Sequence, residues 1–257
     1  MKPAGAALLT LGCLLLLLPG LAAAEPYIAA YAGLAIMQDK DLKIAQDVAG
    51  VPGAELEGTL KGVEFDRSTV FGAKVGYFFN RRLFGGNLGF EYEVYHFRPD
   101  INGQTIDFSG TVGGVSFDGP SNLNKADISV IAGGLNFLYR IPLARSRRFP
   151  RGQVQPYVGV GGSVFLAEFE TTSILDENEG VDDTDLRPGL QGLAGLKLFL
   201  SRNVALFLEY KYIHTATFEF KLQASGTFAG LPNATETTTL RGSLTGHHFN
   251  AGLALHF

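Results

Sequence analysis

The stretch that decides the fold is VALFLEYKYI, residues 204–213, in which two kinds of side chain alternate. Every even-numbered position from 204 to 212 is apolar or aromatic, whereas the odd-numbered positions include Glu209 and Lys211. Successive side chains of a β-strand point to opposite faces. The pattern therefore predicts a strand with one apolar face and one face that carries charge.

Seven further segments share this alternation and are rich in Val, Leu, Phe, Tyr and Gly. The eight predicted strands lie near residues 27–37, 67–79, 86–98, 125–140, 153–168, 187–200, 203–220 and 244–257. Helix is disfavoured because the chain contains 33 Gly and the apolar positions do not recur every 3.6 residues. After residue 25 no apolar run approaches the ~20 residues of a spanning helix, which excludes a helical membrane protein.

Length and composition fit one barrel domain. The chain has 257 residues, of which 46% are hydrophobic and 18% are charged, so it is too apolar for an intrinsically disordered protein. A net charge of −4 argues against nucleic acid as a partner, because wrapping a phosphate backbone requires a basic surface. A single Cys excludes a disulfide scaffold.

Residues 1–24 have the composition of a secretory signal peptide. Lys2 precedes an apolar run, and Ala22, Ala23 and Ala24 form a small-residue cleavage site. The run is shorter than the ~20 residues that a retained membrane anchor would need. We therefore expect cleavage near Ala24 and a mature barrel domain over residues 25–257.

Connector lengths indicate which end of the barrel is which. Long connectors at 38–66, 99–124, 169–186 and 221–243 alternate with shorter ones at 80–84, 141–152 and 201–202. This alternation is typical of an up-and-down transmembrane barrel with short periplasmic turns, and it predicts four long extracellular loops. The long loops are mostly acidic, with the third containing Asp176, Glu177, Glu179, Asp182, Asp183 and Asp185. The short turns contain Arg81, Arg82, Arg145, Arg147, Arg148, Arg151 and Arg202 but no acidic residue.

The chain ends in the most specific motif, HHFNAGLALHF at residues 247–257. Its spacing resembles the C-terminal assembly signal of small eight-stranded bacterial outer-membrane barrels of the OmpA/OmpX type. That signal has the form polar–x–Gly–x–x–apolar–x–aromatic, and the matching residues are Asn250, Gly252, Leu255 and Phe257.

The resemblance implies an all-β protein in the outer membrane of a Gram-negative bacterium. It implies contact with outer-membrane lipid and lipopolysaccharide, and insertion by the barrel-assembly machinery with the help of periplasmic chaperones. We expect a monomer whose loop ligand is unknown. The alternative is a soluble lipocalin-like barrel, but that fold would place the apolar face inside, whereas here the opposite face carries the charges.

Six charged residues share the face opposite the lipid: Lys74, Glu91, Glu93, Lys197, Glu209 and Lys211. The lumen of a barrel of about eight strands is just wide enough to be filled by side chains. We expect these ammonium and carboxylate groups to pair there, because an unpaired buried charge is costly. The alternative is a narrow ion or solute channel lined by the same groups.

No catalytic residue, cofactor site or metal site is predicted. Among the five histidines, His96, His214, His247 and His248 are expected toward the outer ends of strands and His256 at the periplasmic rim. No His-x-Ser pair lies on a lipid-facing strand, as a lipid A or phospholipid modifying barrel could use. We expect a structural or surface-interaction role, with the channel and the lipid-modifying enzyme as alternatives.

Overall fold

A computed structural model describes residues 24–48, 55–172, 180–228 and 231–257, and these residues form fourteen β-strands. The strands are β1 (Ala24–Met37), β2 (Lys40–Val48), β3 (Leu56–Val63), β4 (Ser68–Leu83), β5 (Gly86–Phe97), β6 (Gln104–Val112), β7 (Val115–Leu123), β8 (Ala126–Arg140), β9 (Val154–Thr172), β10 (Gly180–Phe199), β11 (Val204–Thr215), β12 (Phe218–Phe228), β13 (Leu231–Gly242) and β14 (Thr245–His256). The predicted signal peptide, except for Ala24, lies outside these residues, as do Asp176, Glu177 and Glu179.

Eight of the strands form a closed barrel in the order β1-β14-β11-β10-β9-β8-β5-β4. Every neighbouring pair is antiparallel, and β1 closes the barrel because it pairs with both β4 and β14. In β11 the apolar even-numbered side chains point outward, while Phe207, Glu209 and Lys211 point inward and are buried. The eight-stranded antiparallel barrel predicted from the alternation is confirmed.

The seventh predicted segment, residues 203–220, is wrong at its C-terminal end. It contains β11 and the beginning of β12, separated by Ala216 and Thr217. The buried positions change phase there, from odd-numbered residues up to Thr215 to even-numbered residues from Phe218. A strand that keeps its side chains on one face cannot change phase, so the two stretches belong to different strands.

The long connectors, which we expected to be loops, are largely β-structure. Three of them fold into hairpins, β2–β3, β6–β7 and β12–β13, which join as one six-stranded sheet in the order β12-β13-β2-β3-β6-β7. The fourth continues β9 and β10 as a ribbon that pairs as far as Thr172 and Gly180. Apolar residues alternate in these connectors too, and Leu60, Phe108 and Leu240 are buried in the core that the hairpin sheet shares with the outer part of the barrel. Within the described residues, no helix is long and apolar enough to cross a membrane.

Candidate functional site: the barrel interior

Four neighbouring or facing strands carry the six charged residues expected inside. Lys74 lies on β4, Glu91 and Glu93 on β5, Lys197 on β10, and Glu209 and Lys211 on β11. Each side chain points into the lumen because it falls on the inward phase of its strand, and none of the six residues is more than 4% exposed. Three positive and three negative charges therefore occupy one enclosed space.

Lys74 lies at the centre of an ionic network that spans the lumen. Its Nζ donates hydrogen bonds to Glu209 Oε2 at 2.6 Å and to Glu91 Oε1 at 3.0 Å. The same nitrogen lies 3.7 Å from Glu93 Oε2, and Lys211 Nζ donates to that oxygen at 2.6 Å. Two ammonium groups thus connect all three carboxylates.

Neutral side chains complete the shells of the carboxylates, and the sequence pattern did not single them out. Tyrosine hydroxyls donate to each carboxylate: Tyr27 to Glu91 at 2.5 Å, Tyr31 to Glu93 at 3.1 Å and Tyr157 to Glu209 at 2.9 Å. The amides of Asn136 and Gln191 donate to Glu93 Oε1 at 3.1 and 2.6 Å. Burial of a carboxylate is tolerable when its oxygens are satisfied in this way.

Lys197 departs from the expectation that every interior charge is paired. Among the described residues Lys197 forms no salt bridge, and its Nζ has no hydrogen-bond partner. It lies 3.6 Å from the ring centroid of Tyr27, with the rings of Phe78 and Tyr157 at 5.2 and 5.5 Å. The negative faces of aromatic rings attract a cation, so the charge is stabilised by rings rather than by a carboxylate.

A second ionic cluster closes the barrel at its short-turn end. Glu25 pairs with Arg140, and its Oε1 lies 2.8 Å from His256 Nδ1. Arg140 also donates to Gln155 Oε1 at 2.9 Å, and its guanidinium lies 4.0 Å from the ring centroid of Phe78. Sequence reasoning missed Glu25 and Arg140, because the two residues are 115 positions apart and stand at strand ends.

Aromatic side chains fill the interior toward the hairpin sheet. His248 is fully buried there, with its ring centroid 4.9 Å from that of Phe97 and 5.7 Å from that of Tyr95. Phe165 is fully buried beside Tyr95. The lumen is therefore occupied from the short-turn end to the hairpin sheet, first by ions and amides and then by rings.

The four residues of the C-terminal motif lie on β14 and at its end. Asn250 points inward, with its Nδ2 3.5 Å from Glu209 Oε1. Gly252 leaves the space that the Phe207 ring occupies, since a Cβ there would lie 2.7 Å from that ring. Leu255 and Phe257 face outward and are exposed. A role in assembly remains a prediction.

One pair on the outer face of the barrel has the elements of a nucleophile and a base. His96 Nε2 lies 3.1 Å from Ser129 Oγ, on the neighbouring strands β5 and β8. A His-x-Ser spacing describes two residues of one strand, so it does not reveal a His–Ser pair whose members lie on neighbouring strands. None of the ion pairs among the described residues involves His96, so no carboxylate orients its ring there.

Among the described residues we looked for a metal site, and we considered the cavity beneath the hairpin sheet as a ligand site. Residues 24–48, 55–172, 180–228 and 231–257 contain no group of three His, Cys, Asp or Glu side chains placed to bind a metal ion. An apolar cavity of about 40 Å³ lies between barrel and hairpin sheet, beside Phe169, Phe220 and Leu244. Ligand pockets are typically larger, on the order of 300 Å³ or more.

A closed antiparallel barrel with an apolar exterior and a charged interior defines the class of outer-membrane β-barrel proteins. The outer membrane protein beta-barrel domain family matches residues 11–257, and the chain belongs to this family. Its members' location implies the outer membrane of a Gram-negative bacterium.

Solved structures that match this chain come from several bacteria. OprG from Pseudomonas aeruginosa is 15% identical, with a TM-score of 0.47 over 90% of this chain and 95% of that chain. Neisserial surface protein A is 14% identical, with a TM-score of 0.37 over 90% and 97%. The outer membrane protease OmpT from Escherichia coli is 7% identical, with a TM-score of 0.45 over 90% and 97%. No curated protein matches the chain by sequence.

Proposed function

We propose that the protein is a sealed outer-membrane barrel that holds a preformed β-sheet at the cell surface, where the sheet serves a structural or binding role. The observation that carries this proposal is the filled lumen, in which Lys74 and Lys211 connect three buried carboxylates. A barrel of about eight strands leaves no more space than its side chains occupy. The interior therefore stabilises the barrel rather than forming a passage.

Conduction would require the ionic network to separate. A hydrated ion passing along the axis would have to displace Lys74 from Glu209 and Glu91, which it contacts at 2.6 and 3.0 Å. It would then meet the rings of Tyr95 and Phe97, both buried. Breaking one partner out of a buried ion pair costs about 3–5 kcal/mol, so a stable open state is disfavoured.

The hairpin sheet is joined to the barrel by apolar packing and by capped backbone groups. The rings of Phe169 on β9 and Phe220 on β12 stack with their centroids 5.3 Å apart. Asp185 Oδ2 accepts from the backbone N–H of Glu219 at 2.7 Å, and Asp183 Oδ2 accepts from that of Lys221 at 2.7 Å. These carboxylates occupy two of the backbone donors on the β12 edge, which would otherwise be open to pairing with another chain.

The outward face of the hairpin sheet presents the side chains that a binding partner would contact. Charged residues of both signs are exposed there: Lys43, Asp47, Glu57, Lys61, Asp118 and Arg241. Because their backbones are fixed in strands, these groups are presented with little freedom, which lowers the entropic cost of binding. This arrangement supports surface recognition, with lipopolysaccharide as one expected partner.

Conductance of the purified full chain in a planar lipid bilayer tests the proposal. We expect no stable openings from the native barrel. The double variant Tyr95→Ala with Phe97→Ala, which removes two rings from the outer end of the lumen, serves as a deliberately opened barrel for comparison. The lipid-facing substitution Leu208→Ala is the matched control. Steady openings from the native protein that Lys74→Ala or Glu209→Ala abolishes would contradict the sealed lumen.

The His96–Ser129 contact is the one observation that favours a lipid hydrolase as a second candidate. We propose that the protein does not catalyse hydrolysis, because an effective Ser–His pair normally has a third group that orients the histidine. The two candidates, a non-catalytic barrel and a lipid hydrolase, are distinguished by measuring whether the purified barrel releases fatty acid from phospholipid and from lipid A. Release that Ser129→Ala removes, while the adjacent outward substitution Ile131→Ala does not, would establish the enzyme.

A further inference from the structure

The short-turn end of the barrel is basic and exposed. The connections β4–β5, β8–β9 and β10–β11, with the strand ends beside them, carry seven exposed arginines: Arg81, Arg82, Arg145, Arg147, Arg148, Arg151 and Arg202. Residues 80–86, 141–153 and 200–203 contain no Asp or Glu. Among the described residues only Arg151 of the seven lies near a carboxylate, 3.7 Å from Glu25. We call these seven residues the arginine rim.

Apolar side chains stand exposed between the arginines. They are Leu83, Phe84, Ile141, Leu143 and Leu200, and they continue the apolar outer surface of the barrel strands to its end. A purely solvated turn region would not need this continuous apolar border. Arginine beside exposed apolar groups is the composition of a surface that lies at the boundary between headgroups and acyl chains.

Phe84 is held in its exposed position by the fold. It is 93% exposed and has a φ of 49°, in the left-handed region that costs energy for a residue with a Cβ. The Tyr139 hydroxyl lies 3.0 Å from Phe84 O and 3.1 Å from Leu83 O, and its contact fixes this turn. A strained turn that presents a phenyl ring outward at the end of a membrane-spanning hairpin suits insertion of the ring between lipids.

A recess in the arginine rim could admit part of a headgroup. A cavity of about 220 Å³ lies between the β8–β9 and β10–β11 connections. Arg151 and Arg202 line it together with Phe149, Pro150 and Phe199. Two guanidinium groups beside rings match a phosphate diester attached to a hydrocarbon chain, because guanidinium binds phosphate through paired N–H donors.

We propose that the arginine rim binds anionic phospholipid in the membrane leaflet at the short-turn end, with Phe84 inserted among the acyl chains. Charge complementarity selects this occupant over zwitterionic lipid, since six of the seven exposed guanidinium groups have no ion-pair partner among the described residues. The binding would fix the depth of the barrel in the membrane and leave the hairpin sheet at the opposite end free. The inference depends on insertion of the barrel and not on whether its lumen is sealed.

A single fluorophore placed in the rim tests the proposal, because the chain contains no Trp. The full-length barrel with Phe84→Trp is reconstituted in phosphatidylcholine vesicles that hold a fixed minor fraction of brominated lipid. The brominated lipid carries either a phosphatidylglycerol or a phosphatidylcholine headgroup. We expect quenching to show a preference of about fivefold for the anionic lipid, the factor that one basic residue at an anionic surface contributes.

Variants locate the preference. The ratio of quenching by anionic lipid to quenching by zwitterionic lipid should fall toward one in a triple variant, Arg145→Gln with Arg147→Gln and Arg148→Gln. The same ratio should stay unchanged in a control at the other end of the barrel, Arg67→Gln with Arg98→Gln. The six rim arginines other than Arg151 have no ion-pair partner among the described residues, so the triple variant should still show the heat-modifiable gel shift of a folded barrel. If the triple variant does not fold, the double variant Arg81→Gln with Arg82→Gln replaces it in the same measurement.

The opposite results would overturn the inference. Equal quenching of the Phe84→Trp reporter by the two headgroups would mean that the rim is solvated or reserved for a protein partner. A preference that survives both rim variants, or one that is equally strong at a Leu34→Trp reporter in the other half of the barrel, would exclude the rim as its source. Sodium chloride should weaken the preference. A greater loss with inorganic phosphate at the same ionic strength would assign the rim to a free anion instead.

Discussion

Lys74→Met removes the ammonium group that connects the interior carboxylates while keeping most of the side-chain volume. In the native barrel this group contacts Glu209 at 2.6 Å, Glu91 at 3.0 Å and Glu93 at 3.7 Å, and all four side chains are buried. The substitution leaves three carboxylates with two ammonium groups in an enclosed space. Because an uncompensated buried charge is strongly unfavourable, we expect the free energy of unfolding to fall by about 3–5 kcal/mol.

A second variant separates loss of charge balance from loss of packing. Lys74→Met with Glu209→Gln restores equal numbers of positive and negative interior charges. The amide oxygen that Glu209→Gln introduces can still accept the hydrogen bond that Tyr157 donates at 2.9 Å in the native protein. We expect this double variant to recover most of the loss, to within about 2 kcal/mol of the native barrel. Leu208→Met, on the lipid-facing side of β11, controls for the introduced thioether and should change stability little.

Urea titration of the barrel in phospholipid vesicles measures both effects, with the folded fraction read from heat-modifiable electrophoretic mobility. A loss below about 1 kcal/mol for Lys74→Met would refute the reasoning, because that is the size expected of an exposed pair. A double variant no more stable than the single one would show that charge balance is not what stabilises the interior.

Two further predictions concern the packing of the barrel and the hairpin sheet. Gly195→Ala on β10 should destabilise the barrel by about 1–3 kcal/mol in the same titration, because its Cβ would overlap the ring of Tyr157, whereas Gly192→Ala has open space and should not. Burial raises the pKa of Asp185, but hydrogen bonds from the Glu219 N–H and from Arg187 outweigh it and lower the pKa below its ordinary value. The stabilisation from Asp185 is therefore present above about pH 4 and is lost as the pH falls through the lowered pKa. Over that range the protection of the β12 amides, taken relative to their intrinsic exchange rate at each pH, should fall in the native protein but show no such step in Asp185→Asn, and an unchanged step would contradict this assignment.

The period-two pattern was sufficient for the barrel because one shift in register would reverse every side chain of a strand. That constraint predicted both the eight strands and the inward direction of residues such as Glu91 and Lys211. It failed for the hairpin sheet, whose apolar positions, among them Leu60 and Phe108, alternate with many charged and small residues. The length of these connectors and their place between the eight predicted strands suggested loops, although the alternation continued through them.

Contacts between distant parts of the chain were beyond the sequence pattern. Alternation places a residue on the inner face but does not give its height along the barrel, so it could not pair Glu25 with Arg140 or surround Lys197 with rings. The His96–Ser129 contact was missed for the same reason, since strand register brings the two residues together. The boundary between β11 and β12 was also beyond the pattern, because apolar side chains stand at even-numbered positions on both sides of Ala216 and Thr217, and only their burial changes.

The most direct test of the central claim is heat-modifiable electrophoresis of membrane fractions from Gram-negative cells that express the full chain or a chain that lacks Phe257. The full chain should be found in the outer membrane and should migrate faster before heating than after, because the closed barrel resists detergent. Without Phe257, which ends the predicted assembly signal, less of the folded form should accumulate. A full-length chain that is soluble and migrates identically before and after heating would contradict the account.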